Sequence, residues 1–315
     1  MIALVSDNVR NRGRHGFIVV AVLWILAALA TLASIYASYV ANTAIASRVN
    51  DERIQAHALI SAAVELAAYQ LSASNQEIRP TRGAFSFRGL NASVDVEYHS
   101  EAARIDINDA PKELLAGLFT ALGARPAAAQ DYADRIIGWR TNSRQDGQLI
   151  GKEASAYGTA GLAYAPREAP FAHVGELWLV LGLPPQLVER MMPYVTVFSG
   201  RPDINVLDAA PLALAALPGM TPDRLNDVLL GRRSVRPENG EQVLAMLGPA
   251  RNGATLESSR STRVRVAVNF DKGPTRAAAV VILILEDADE PFRVLSWRDD
   301  ADGPIADEPP RTDLR

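Results

Sequence analysis

The stretch that decides the reading runs from Arg14 to Tyr36, RHGFIVVAVLWILAALATLASIY. A basic edge, one glycine and one phenylalanine lead into a run that carries no charged side chain until Arg48. A bilayer core needs about 20 helical residues, so the stretch from Phe17 to Ser47 is long enough to span one with some tilt. A cleavable secretory signal has an apolar core of roughly 7–15 residues that ends at a small-residue cleavage site, and this run continues well past such a point. Arg10, Arg12 and Arg14 precede it, which keeps the short N-terminal segment on the cytoplasmic side. A single-pass anchor accounts for these features.

Working outward, the apolar run does not end in a turn. No proline or glycine interrupts Asn42 to Leu71, and Ile45, Val49, Ile54, Ala58, Ala62 and Leu66 recur at helical intervals. The pattern predicts one helix over residues 17–72, on the order of 80 Å long at 1.5 Å per residue. Its first half suits lipid, and its second half needs something to pack on. That stripe is the expected packing face.

Past Pro80 the texture changes. AFSFRG, NASVDVEYHS and AARIDIN read as short strands, and STRVRVAVNF, RAAAVVILILED and FRVLSWRD form a matching set near the end of the chain. The expectation is one small antiparallel sheet built from residues 80–107 and 258–298, with a helical domain, 108–257, inserted into it. The segment 299–315 is rich in acid and proline and reads as a disordered tail. Within the insert, IDINDAPKELLAGL from Ile105 is echoed by INVLDAAPLALAAL from Ile204: a short strand, an Asp able to cap a helix, then apolar residues on one helix face. Between the copies, Pro184 and Pro185 open another helix.

The chemistry is sparse. Net charge is -4, and no basic field attracts nucleic acid. With no cysteine, thiol catalysis and disulfides are excluded. The four histidines lie apart, none at metal-ligand spacing, and no nucleophile elbow or phosphate loop is present. LPGMTPDRLNDVL, from Leu217, looks like a helix-hairpin-helix turn, but Thr221 replaces its second glycine and Asp223 and Asp227 flank Arg224. The polar, glycine-rich loop after Trp139 is either an exposed loop or a calcium site using Asp146 and Glu153.

Together, Gly16-Phe17 with its span, RIDINDAPKELL, APFAHVGEL, PYVTVFSG and INVLDAAPLALAALPGMT resemble the type II secretion minor pseudopilin K family across almost the whole chain. The resemblance implies an α+β, type IV pilin-like fold: a long N-terminal helix on a small antiparallel sheet, with a large helical domain inserted in the sheet region. It implies a non-enzymatic inner-membrane protein, single-pass, with its C-terminal domain in the periplasm. Prepilin peptidase would remove leader 1–16, cutting between Gly16 and Phe17 and methylating the new terminus at Phe17. Pilin-like subunits carry a glutamate at the fifth mature position to meet a neighbour's amine; here that position is Ala21, which suits a subunit at the pseudopilus tip. The implied partners are minor pseudopilins I and J and other pseudopilins, not nucleic acid. For calcium the family pattern is only partly kept: Thr141, Asn142 and Ser143 stand where acids are expected, while Gly151-Lys152-Glu153 keeps the glycine and glutamate. At most a weak site is expected. A membrane-anchored DNA-binding protein with helix-hairpin-helix-like elements is the alternative from another class.

Overall fold

The computed structural model describes residues 13–73, 79–89, 91–141, 152–234, 239–285 and 289–300. The chain divides into two compact units, 1–58 and 59–315. Helix α1, Gly13–Ala73, is 61 residues long and unbroken. It has neither a proline nor, past Gly16, a glycine to stop it. In the first unit its segment Phe17–Ala44 is apolar, with a mean hydropathy of 2.7, and none of it is buried.

The second unit holds the sheet and the insert. Five antiparallel strands stand in the order β1 (Arg82–Gly89), β2 (Ala92–Ser100), β7 (Ser261–Phe270), β8 (Thr275–Ile284) and β9 (Phe292–Asp300). Period-two alternation explains β2 and β7: Val94 and Val96 face Val268 and Val266 across the ladder and share one buried side. Against that side α1 lays Leu59, Ile60, Ala63, Val64, Ala67, Ala68 and Leu71. Alanine at 63, 67 and 68 lets the helix backbone come close to a valine-rich surface. At the edge, the Tyr98 ring lies over Gly83 on the paired strand, and a Cβ at Gly83 would sit 2.3 Å from that ring.

Two expectations need correction. The stripe Ala58, Ala62 and Leu66 is exposed, and the packing face is the opposite one. Both faces of this alanine-rich helix are apolar, so periodicity alone did not separate the side that meets the sheet from the side that does not. The expected strand in AARIDIN is also not part of the five-stranded sheet. Glu101–Ala103 form a 3₁₀ turn, and only β3, Ile105–Asp106, is extended. It pairs in parallel with β4, Val195–Thr196, inside the insert. The sheet continues to Asp300, two residues past its expected end, and residues 301–315 of the expected tail lie outside the described residues.

The insert is helical. α2 (Lys112–Ala121), α3 (Pro126–Arg140), α4 (Lys152–Thr159) and α5 (Pro185–Met191) lie between β3 and β4. The echo repeats the plan more briefly: β5 (Ile204–Asn205), α6 (Pro211–Ala215), α7 (Pro222–Ser234), α8 (Gly240–Met246) and β6 (Ala254–Thr255), with β5 and β6 again paired in parallel. The two copies share one core, in which Ile105, Leu115, Leu118 and Phe119 join Ile204, Val206 and Leu214. They meet closely at Gly117, where a Cβ would stand 1.9 Å from the Ala216 carbonyl oxygen. No larger residue fits there without separating α2 from α6.

Candidate functional site

Two features set this molecule apart from a plain globular domain: the bare apolar half of α1, and a buried polar junction where the chain leaves the sheet for the insert and returns. On α1, Phe17 is 77% exposed. Gly16 lies in the first turn of the helix, and Ala21 sits one turn beyond Phe17 among residues that are otherwise exposed. Trp24, Leu26, Leu29, Leu32 and Ile35 continue the bare surface. An exposed apolar surface of this length is unsustainable in water and marks a segment that lives in lipid or against other helices.

The junction is built from groups far apart in sequence. Ser100 ends β2, and its hydroxyl oxygen accepts from the amides of Ala102 and Ser259. Ser259 donates to the Ser199 carbonyl and accepts from the Ser261 amide. Glu101, 1% exposed, takes Arg263 Nε at 2.7 Å and the Thr196 hydroxyl in a very short bond. Arg104 donates to the Pro193 carbonyl at 2.7 Å. Burial alone would raise the Glu101 carboxyl, but the charges of Arg263 and Arg104, with hydrogen bonds from Arg263 and Thr196, hold it below the ordinary glutamate range. The stability it contributes is therefore present above the unfolded-state pKa and is lost as pH falls through the lower, folded-state value. Glu101→Gln, measured by thermal or urea unfolding at neutral pH, is expected to cost about 2 kcal/mol and to flatten the acid limb of the stability profile. An unchanged acid limb would mean that this carboxylate is not charged in the native protein.

Inside the insert the echo extends to side-chain chemistry. Arg140, at the end of α3, donates to the carbonyls of Ile107 and Ala110; Arg232, near the end of α7, donates to Val206 and Ala209. Each guanidinium closes the turn that follows its short strand, and burial lowers the pKa of both. The expected helix-capping Asp is not found. α2 starts behind Pro111 and α6 at Pro211, neither with a side-chain cap, because proline supplies the fixed φ and needs no acceptor for an amide. Asp106 instead holds the amides of Asn108 and Gly200. Burial pushes its carboxyl up to about 6 despite those amides. Its counterpart Asn205 accepts from Leu207 and donates to the carbonyls of Leu256 and Glu257. The turn resembling a helix-hairpin-helix recurs three times as Gly-x-x-Pro, with Gly123, Gly182 and Gly219 all at positive φ and Pro126, Pro185 and Pro222 opening the next helix. Such recurrence belongs to the scaffold. Arg224 donates to the Gly219 carbonyl in the third of these turns.

The expected calcium ligand Asp146 lies outside the described residues, as does the side chain of Glu153. Among the described residues no cluster of three or more metal-ligating side chains occurs. Sequence reasoning missed the Glu101–Thr196–Arg263 junction because its members stand 95 and 162 positions apart. The only local signal was a charged residue directly after a strand.

Residues 89–200 match the family described as type II secretion system (T2SS), protein K. No curated protein matches the chain. Among solved structures, a chain of the GspK–GspI–GspJ complex from the type 2 secretion system of enterotoxigenic Escherichia coli is similar in fold, with a TM-score of 0.57 at 16% identity over 81% of this chain and 99% of that one.

Proposed function

Because the match over residues 89–200 makes the chain a member of the type II secretion system protein K family, we propose that it is a minor pseudopilin that caps, and helps to initiate, the pseudopilus tip. The observation that carries this reading is the unburied apolar half of α1, continuous with a half that packs under a pilin-like sheet. A membrane anchor alone needs only the first half. A filament subunit needs both, since the same helix passes from lipid into a bundle of neighbouring helices. Ala21 supports the tip position, because a subunit with nothing above it has no incoming amine to neutralise, and an unpaired carboxylate there would be costly. The arginines at 10, 12 and 14 support an inner-membrane orientation with the sheet and insert in the periplasm. The role is one of assembly and not of catalysis.

Partners homologous to GspI and GspJ of the similar complex would dock on α1. The exposed side of its lower half offers Ala62, Leu66 and Tyr69 for this. Full-length chain in detergent, co-expressed with the I- and J-type subunits of its own system, is expected to purify as a stable complex. Recovery of the chain alone under conditions that preserve the partners' own pairing would refute the tip assignment.

Calcium enters as a weak ligand at most, through Asp146 and Glu153. A site with a Kd near 10⁻⁴–10⁻³ M, filled at about 1 mM, stabilises by roughly 1 kcal/mol. The thermal midpoint is expected to rise slightly in millimolar calcium over chelator, and Glu153→Ala should abolish the rise. A large rise that survives Glu153→Ala would place the ion elsewhere.

A further inference from the structure

A cleft of about 290 Å³ opens beside the junction, lined by Arg104, Arg263, Arg298, His173, Trp178 and Met192, among others. Arg104 reaches it from the segment after the 3₁₀ turn, Arg263 from β7, Arg298 from β9, and Trp178 from the 3₁₀ helix Val174–Leu179. Three guanidiniums are therefore brought together, and the Glu101 carboxylate that pairs with Arg263 offsets only one of them. Trp178 is 50% exposed, an unusual state for the largest apolar side chain. An aromatic face among cations suits a ligand that is both anionic and rich in proline, since proline packs on indole and carboxylates pair with guanidinium.

Such a ligand is tethered to the cleft. Arg298 is two residues from the end of β9, and the 15 residues that follow Asp300 are ADGPIADEPPRTDLR. Asp302, Asp307, Glu308 and Asp313 outnumber Arg311 and Arg315, and Pro304, Pro309 and Pro310 lie among the acids. Asp302 stands four residues beyond Arg298, at most about 14 Å of extended chain, so the tail reaches the cleft without any rearrangement of the sheet. We propose that this cleft is the docking site of the chain's own acidic, proline-bearing tail, residues 301–315. The interaction is intramolecular and favoured by high effective concentration, so it needs little intrinsic affinity. It is electrostatic in large part and weakens with salt. A tail held there covers the exposed Trp178 beside the Glu101 junction, a surface otherwise open to other proteins.

The absence of cysteine permits a direct test on the full-length chain in detergent. A bimane label on Ile305→Cys is quenched on contact with tryptophan. The expected result is quenching at low salt that is mostly lost in Trp178→Phe, in Arg298→Glu and at high salt. Trp178→Phe is a conservative change at an exposed site and leaves the fold intact, so its result stands even where Arg298→Glu disturbs β9. Trp297 is equally present in every variant and cannot account for a difference among them. Emission that is the same in wild type and Trp178→Phe would overturn the proposal. So would quenching that grows with protein concentration, which would report the tail of a second copy, or quenching indifferent to salt.

Discussion

In cells with an active prepilin peptidase the mature chain is expected to begin at Phe17, and Gly16→Val is expected to leave the leader in place. The effect is all-or-none. A peptidase takes its substrate extended, whereas the Gly16–Phe17 bond lies in the first turn of α1. The amides of a first turn have no acceptor within the helix, so opening it costs little. A glycine at the cut adds no side chain to hinder approach, and a β-branched valine both obstructs the bond and restricts the backbone around it. Intact mass of the membrane-extracted protein decides the matter. A wild-type chain that retains Met1 in the presence of the enzyme would count against the whole pilin reading, not only against this site.

The second large effect separates the two faces of α1. Ala63 is 0% exposed against the sheet, and Leu66, three positions on, is 38% exposed. Ala63→Asp is expected to cost about 3–5 kcal/mol, because the carboxylate can neither reach water nor find a partner among valines. For a unit of this size that lowers the thermal midpoint by roughly 10 °C. Leu66→Asp is expected to change stability by less than about 1 kcal/mol while reducing recovery of the partner complex. If Leu66→Asp destabilises as strongly as Ala63→Asp, the helix is rotated from the arrangement described. If neither variant affects the complex, the partners dock elsewhere.

The difference between those two positions also shows where sequence reading stops. The helix itself was legible, because uncharged length and the absence of breakers are properties of consecutive residues. So were β1, β2, β7, β8 and β9, whose alternation and bounding turns are equally local. Which face of α1 meets the sheet depends on the partner surface, and Ala62 and Ala63 look alike until that surface exists. AARIDIN has the composition of a strand, yet its two extended residues pair with Val195–Thr196, a partnership set by the insert. The Arg140 and Arg232 contacts escaped because the repeat places them 92 positions apart while the strand motifs they close are 99 apart. Gly16, Phe17 and Ala21 were identified from sequence alone, by resemblance, since a cleavage site is a feature of chain chemistry more than of packing.

The bond between the Ser259 amide and the Ser100 hydroxyl has a consequence in time as well as in space. It joins residues 159 positions apart at 2.8 Å, at the point where β2 and β7 begin to pair. Closing a flexible loop of that length costs about 4–5 kcal/mol of chain entropy, which β2 and β7 would have to overcome before any ladder bond formed. If the insert condenses first, around its own local helices, it delivers Ser100 and Ser259 side by side and the ladder then grows as a hairpin does. The insert thus acts as the turn of a very large hairpin, and pulse-labelled hydrogen exchange should find its helices protected before β2, with the reverse order refuting this. A chain emerging across a membrane then completes the central pairing of its pilin sheet only after most of its length has arrived.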